Sequence, residues 1–288
     1  MSDKKNLENI KKLREITGVG FSDCKLAITE NGGDIEKSIE YLRKKGIAKA
    51  SKKMSRVAAE GLAILNEKDG NASAIEINSE TDFVAKNKDF ISFCKEISEI
   101  NFQNKANLNS LKLSKMKNGK TVEENLIALI SKIGEKITIR RSKYLDNKGT
   151  NFAYVHNALE KNIGKVVAMV QLSKNSKKDL KEIGTKLAMH VAAQAPIAID
   201  ENGIKKEVLD KELEIIREEL KNSGKKADMI EKIANGKIKK FISDNTLLNQ
   251  IWIMDTKMKV SQVIKQHSAS GEIKVLDFVR FKVGEGID

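Results

Sequence analysis

The stretch GLAILNEKDG NASAIEINSE TDFVAKNKDF ISFCKEISEI, residues 61–100, decides the fold. Its first five residues, Gly61 to Leu65, are an apolar run that leads to the turn residues Asp69, Gly70 and Asn71. A second run, Ser73, Ala74, Ile75, Glu76 and Ile77, follows. Two strand-length runs around an Asp-Gly turn predict a β-hairpin. Beyond it, Phe90, Phe93, Cys94, Ile97 and Ile100 recur at helical spacing and predict a helix packed back on the hairpin. The unit is strand, turn, strand, helix. Between hairpin and helix, the polar Ser79, Glu80, Thr81 and Asp82 give way to Phe83 and Val84. Only 5% of the residues are aromatic, and Phe83 lies just past a strand end between Asp82 and Lys86. That position suits burial in something other than the chain's own core.

The same order of elements recurs. Ala153 to His156, a turn at 161–164, the run Val166 to Leu172 and a helix from Asp179 through Leu187 to Ala193 repeat the unit, which predicts an internal duplication. Between the copies, Leu126, Leu129, Ile130 and Ile133 predict a helix over 122–137, and Ile137, Ile139 and Arg141 begin another strand. Upstream, residues 5–46 read as three short helices. Ile10, Leu13 and Ile16 mark the first, Gly18 to Gly20 turn the chain, and Asp23 reads as the cap of a helix through Leu26, Ala27 and Ile28. After Asn31, Gly32 and Gly33, Asp34 caps a third helix carrying Ile35, Ile39 and Leu42. A module of this size is too small to be very stable alone and is expected to lean on a neighbour or on a partner. Leu209, Leu213, Ile216 and Leu220 are spaced four, three and four; Asn222, Ser223 and Gly224 break the pattern, and Ile230, Ile233, Ala234, Ile238 and Phe241 resume it. This predicts an antiparallel helical hairpin with a coiled-coil seam, an arm of ~30 Å. The alternating Phe278 to Val283 returns to the core as a last strand. The expected class is α+β: a helical module over 1–46, a basic helical linker over 47–56, a core subdomain over 57–145, a second over 146–196 and 244–288, each with an antiparallel sheet, and the inserted hairpin over 197–243.

Composition narrows the function classes. With 53 Lys+Arg against 40 Asp+Glu the formal charge is +13, with both signs interspersed, which favours an acidic or nucleic-acid partner without choosing between them. Cys24 and Cys94 stand far apart behind no secretory leader, so both read as reduced cysteines of a cytoplasmic protein. No apolar run approaches ~18 residues, so no membrane-spanning helix is expected. There is no Gly-rich loop ending in Gly-Lys-Ser/Thr. His156, His190 and His267 are scattered with no Cys at ligand spacing, which points to no metal. Cys24 has no histidine near it in sequence, and Cys94 falls on an apolar face. The expectation is therefore no enzyme, no catalytic residue and no cofactor. The cluster Lys44, Lys45, Lys49, Lys52 and Lys53 lacks the interleaved aromatics that stack on bases, so it reads as a solvated face. A basic RNA- or ribosome-associated factor is the alternative that the net charge keeps open.

Three separated blocks carry a resemblance to one family. Residues 13–25 (Leu13, Arg14, Glu15, Ile16, Thr17, Gly18, Val19, Gly20, Phe21, Ser22, Asp23, Cys24, Lys25) together with Asn31 to Glu36, then Glu80 to Lys86, then Phe278 to Ile287, resemble in order the opening, central and carboxyl-terminal signatures of bacterial translation elongation factor Ts. The resemblance implies an exchange factor that binds elongation factor Tu in its GDP-bound and nucleotide-free forms. It also implies a ubiquitin-associated-like module at the amino terminus and a duplicated core. On it, Thr81, Asp82, Phe83 and Val84 match the segment that contacts the partner and dislodges its Mg²⁺. Phe21, Lys25 and His190 are further partner-binding candidates. Apart from the resemblance, the exposed heptad seam makes the helical arm a candidate surface for a homodimer or for positioning; no membrane and no specific nucleic acid are implied. Two departures stand out: Phe21 and Ser22 replace the usual methionines, and Gln250, Ile251, Trp252 stands where the family reads Gln-Pro-Phe. The chain stops at Asp288, so contacts made by the extra carboxyl-terminal helix of some members are not carried over.

Overall fold

The computed structural model describes residues 2–17, 19–174, 180–223, 227–268 and 272–287. The expectations placed on Gly18, Asp179, Gly224 and Asp288 lie outside the described residues. Helices α1 (Ser2–Thr17), α2 (Phe21–Glu30) and α3 (Ile35–Lys53) come first. Leu13, Cys24, Ala27, Ile28 and Leu42 close a small core between them, with Ile10 beside them. Ile16, expected on the same face, is half exposed, because only one narrow stripe of α1 meets α2 and α3. Asp34 caps α3 by accepting from the Lys37 amide at 3.0 Å. Asp23 is not a cap: α2 begins earlier, at Phe21 behind Gly20, which turns Asp23 toward α3, where it pairs with Lys45 at 3.0 Å and Lys49 at 2.8 Å. The expected boundary at residue 46 is crossed by a continuous α3. Its Ala50 is buried in the core that follows, so the basic stretch is part of a packed helix.

The hairpin β1 (Glu60–Lys68) and β2 (Asn71–Ser79) pairs in antiparallel register, Ile64 opposite Ile75. One turn of helix, α4 (Asp82–Ala85), and then α5 (Lys88–Gln103), α6 (Leu108–Leu113) and α7 (Val122–Ile133) follow. The helix expected to reach residue 137 stops at Ile133 because Gly134 takes a left-handed φ of 86°. Next come β3 (Ile137–Leu145), β4 (Thr150–Glu160), β5 (Ile163–Leu172), α8 (Lys181–Gln194), α9 (Lys206–Asn222), α10 (Ala227–Asn245), α11 (Val260–His267) and β6 (Val275–Lys282).

All six strands form one antiparallel sheet, β3-β2-β1-β5-β4, with β6 also on β5. The two expected sheets are thus continuous, joined where Ala63 and Ile64 pair with Gly164 and Ile163. Gly164 makes this crowded junction possible, since a Cβ there would lie 2.6 Å from Val155 and 2.8 Å from the His156 carbonyl. The alternation of side chains then sorts the sheet into layers. Leu62, Ile64, Ile75 and Ile77 face Phe90, Cys94 and Ile97 of α5 and Leu129 and Ile130 of α7. Ala63, Leu65, Ala72 and Ala74 point the other way and meet Val167, Met169 and Phe281. Val166, Ala168 and Val170 face α8 and α11. The curled sheet therefore has a middle core of its own and a helical layer over each outer face.

Helices α9 and α10 pack on each other. Ile216 and Leu220 meet Ile230 and Ala234, and Arg217 grips Glu231 with two bonds of 2.9 Å. Of the seam proposed from the sequence as a homodimer surface, Ile216 and Leu220 are covered inside the hairpin, while Leu209 and Leu213 lie outside that cluster and are half-buried. Among the described residues, no helix is long and apolar enough to cross a membrane.

Candidate functional site

Phe83 is 81% exposed, more than any other large apolar side chain among the described residues. The helix that carries it explains how. In a single turn starting at Asp82, positions 84 and 85 face the sheet and positions 82, 83 and 86 face away. Val84 and Ala85 are buried in the core under α5, which fixes the turn, while Phe83 is held out. Thr81, in extended conformation, caps the turn by accepting from the Val84 amide at 3.5 Å. Asp82 accepts from Lys86 at 2.8 Å, and that ammonium holds its carboxyl below the usual carboxylate range.

The chain just before this turn is fixed by two carboxylates that cross between loops. Glu135, in the 134–136 loop between α7 and β3, accepts from the Thr81 amide at 3.0 Å and the Thr81 hydroxyl at 2.8 Å. In the opposite sense, Glu80 accepts from the Lys136 amide at 2.5 Å and from Arg56 at 3.1 Å. Burial pushes the Glu80 carboxyl up, but the Lys136 amide and the Arg56 guanidinium outweigh it and hold the group below its ordinary value. A shallow cleft runs beside the tip. Glu60, Asp82, Ala85 and Lys86 line one wall, and Leu159 and Lys165 belong to the other, so both halves of the sheet contribute. Lys165 donates to Glu60 across it.

The other candidates lie elsewhere. Phe21, 42% exposed, and the exposed Lys25 are one turn apart on the open face of α2, and no hydrogen bond or ion pair found among the described residues ties them to the Phe83 segment. His190 is fully buried. Its ring stacks on Trp252 with centroids 5.2 Å apart, its Nε2 lies 3.0 Å from Gln250 Oε1, and its Nδ1 lies 3.4 Å from the Ile253 amide. Gln250 uses its amide group on the carbonyls of Gln194 and Asp244, so its oxygen must accept. The ring is therefore neutral, with the proton on Nε2, and burial pulls its pKa down. His190 has no surface to offer a partner; it anchors the 250–253 loop, in which Ile251 stands half exposed. Among the described residues, no group of three or more His, Cys, Asp or Glu side chains could hold a metal ion.

Glu135, Lys136 and Arg56 were not singled out from the sequence. Gly134 signals a helix stop, but nothing local announces that the next residue binds a threonine 54 positions back.

The family model described as Elongation factor TS matches residues 80–285, a span that starts at the braced Glu80 and ends beyond β6. The chain is 40% identical over 284 residues to elongation factor Ts of Rickettsia akari and 42% identical over 285 residues to that of Rickettsia prowazekii. In each case 97% of this chain and 92% of the relative are covered. It is 43% identical over 286 residues to elongation factor Ts of Xanthobacter autotrophicus, with the same coverage. A family model matched over residues 80–285 and relatives 40–43% identical along nearly the whole chain make this protein a member of the elongation factor Ts family of translation elongation factors.

Proposed function

We propose that this chain is a cytoplasmic guanine-nucleotide exchange factor for elongation factor Tu, one that binds the GDP form, displaces Mg²⁺ and releases GDP so that GTP can bind. The observation that carries this reading is the 81% exposure of Phe83 on a turn whose neighbours are locked. An aromatic ring left in water is a cost unless a partner covers it, and the ring here stands on a turn anchored by the buried Val84 and Ala85. Mg²⁺ is the largest local charge in a nucleotide site and bridges the phosphates, so a side chain that disturbs its shell weakens nucleotide binding. The chain makes and breaks no bond in this role and needs no cofactor. Because coupling is reciprocal, a factor that weakens GDP binding is itself displaced by nucleotide.

The energy sets a limit on what one ring does. A thousandfold faster release requires about 4 kcal/mol, whereas burying one phenylalanine yields roughly 1.5 to 3 kcal/mol. Other surfaces must hold the partner. The open face of α2, with Phe21 and Lys25, on a ubiquitin-associated-like module, is the second contact; the cleft between Lys86 and Lys165 borders the first. His190 contributes indirectly, by fixing the 250–253 loop of the second half of a duplicated core. The direct test is release of fluorescent GDP from elongation factor Tu in a stopped-flow instrument, with and without this chain. Acceleration by two orders of magnitude or more is expected; release at the spontaneous rate would remove the reading.

A further inference from the structure

We propose that the 134–136 loop is a positioning element for nucleotide exchange: Glu135 sets the direction in which Phe83 is presented, and Lys136 ties that setting to the end of α3. This rests on the exchange reading given above.

Three segments distant in sequence meet at this loop. On one side, Glu135 takes both donors of Thr81, and Glu80 takes the Lys136 amide, so the strand end and the loop hold each other by reciprocal carboxylate bonds. On the other side, the Lys136 ammonium donates to the carbonyls of Met54 and Arg56, each at 2.7 Å, and the Lys53 ammonium donates to the Gly134 carbonyl. Arg56 closes the triangle on Glu80. The end of the helix that leads from the amino-terminal module is thus connected to the mount of Phe83 through three consecutive residues.

The geometry makes the direction of Phe83 depend on this junction. An isolated helical turn has no stability of its own, so α4 inherits its orientation from what precedes it and from the burial of Val84 and Ala85. Thr81 is both the cap of α4 and the residue gripped by Glu135. Loosening Glu135 frees the cap while leaving Val84, Ala85 and the sheet in place. The tip then samples more directions, and fewer encounters with the partner place the ring where it acts. The surfaces that hold the partner, including α2, are untouched. A positioning defect therefore lowers the saturating rate of exchange and leaves the concentration needed for half-saturation nearly unchanged. A purely structural defect would instead lower stability and move neither quantity in the folded fraction.

The test uses the full chain in four forms, Glu135→Gln, Phe83→Ala, the double variant and Lys136→Met, with elongation factor Tu carrying fluorescent GDP. Glu135→Gln is expected to lower the saturating release rate about tenfold, or about 1.4 kcal/mol, with half-saturation shifted by less than about threefold. The double variant is expected to be no slower than Phe83→Ala alone, since the brace acts through the ring. Lys136→Met keeps both loop-to-loop carboxylate bonds and is expected to lower the saturating rate about threefold. An unchanged saturating rate in Glu135→Gln, or defects that multiply in the double variant, overturns the positioning role while leaving the exchange reading intact. A Phe83→Ala protein that works at the wild-type rate overturns both. If Glu135→Gln melts below the assay temperature, Lys136→Met decides by the same criterion, an unchanged rate counting against the proposal.

Discussion

At the scale of single residues, exposure and burial separate the polar and aromatic groups that the sequence left together. Phe83 and His190 both looked like contact residues, one as an aromatic outside any stripe and the other by resemblance. Phe83 is open to solvent and His190 is sealed under Trp252, with both ring nitrogens partnered. The buried imidazole gives a signed expectation. Its pKa is lowered by burial from an ordinary value near 6.5, so between the lowered value and 6.5 the unfolded chain binds a proton that the folded chain does not. Stability contributed by the neutral ring is complete above pH 6.5 and declines as pH falls through that window. Melting curves from pH 7.5 to 5 should show this decline, and His190→Gln, less stable at pH 7.5, should show a shallower one; parallel curves would assign the acid sensitivity to other groups. Nothing in the local sequence shows that Gln250 will accept from His190, because the 60-residue separation is closed only by the fold.

At the scale of elements, local chemistry was readable and long-range contact was not. The hairpin of β1 and β2 follows from strand-length apolar runs around Asp69 and Gly70, and the helical arm follows from the Leu209 to Leu220 spacing. What the spacing of one helix does not tell is which helix will cover it. Ile216 and Leu220 are buried against Ile230 and Ala234, so this half of the seam that suggested a dimer is already satisfied, while Leu209 and Leu213 stay half-buried. The root of the arm is closed by Ile197 donating to the Asn245 carbonyl and Leu247 donating to the Ala198 carbonyl, both at 2.9 Å. Replacing residues 206–241 by a short glycine linker is therefore expected to leave a folded core. Light scattering should give the same number of chains per particle as the intact protein. A change in that number would restore the arm as an assembly surface. Asp23 carries the same lesson in reverse: as a short acidic residue near a helix start it reads as a cap, yet α3 supplies the two lysines, 22 and 26 residues on, that claim it.

At the scale of the whole molecule, the continuous sheet and the buried Glu76 hold the two halves together. The repeated strand-strand-helix order was legible from the order of the elements along the chain. That the copies share one sheet was not, since it rests on a two-residue pairing at Gly164. Glu76 ties this assembly to the carboxyl-terminal strand. A bulge between Glu76 and Ile77 in the register with β3 lets two consecutive arginines reach one carboxylate, Arg140 at 3.0 Å and Arg141 at 2.5 Å. The Gly284 amide adds a third bond of 3.0 Å, at a position where a Cβ would lie 2.0 Å from the Ala59 carbonyl. Burial pushes the Glu76 carboxyl up, but the Gly284 amide, Arg141 and Asn78 outweigh it and hold it low, so its contribution is present above about pH 4.5 and is lost as pH falls through the lowered value. Glu76→Gln should cost about 2 to 4 kcal/mol in urea unfolding at pH 7; a loss below about 0.5 kcal/mol would show that the cluster is not a structural tie.

The central claim is that an exposed ring, mounted on a fixed turn, is what this chain presses into its partner. The measurement that tests it most directly is the saturating rate of GDP release from elongation factor Tu driven by Phe83→Ala, on protein whose melting transition matches the wild type. Loss of one buried ring of roughly 1.5 to 3 kcal/mol corresponds to a rate lower by about ten- to a hundredfold, and that is the predicted result. Release at the wild-type rate by a folded Phe83→Ala protein would contradict it.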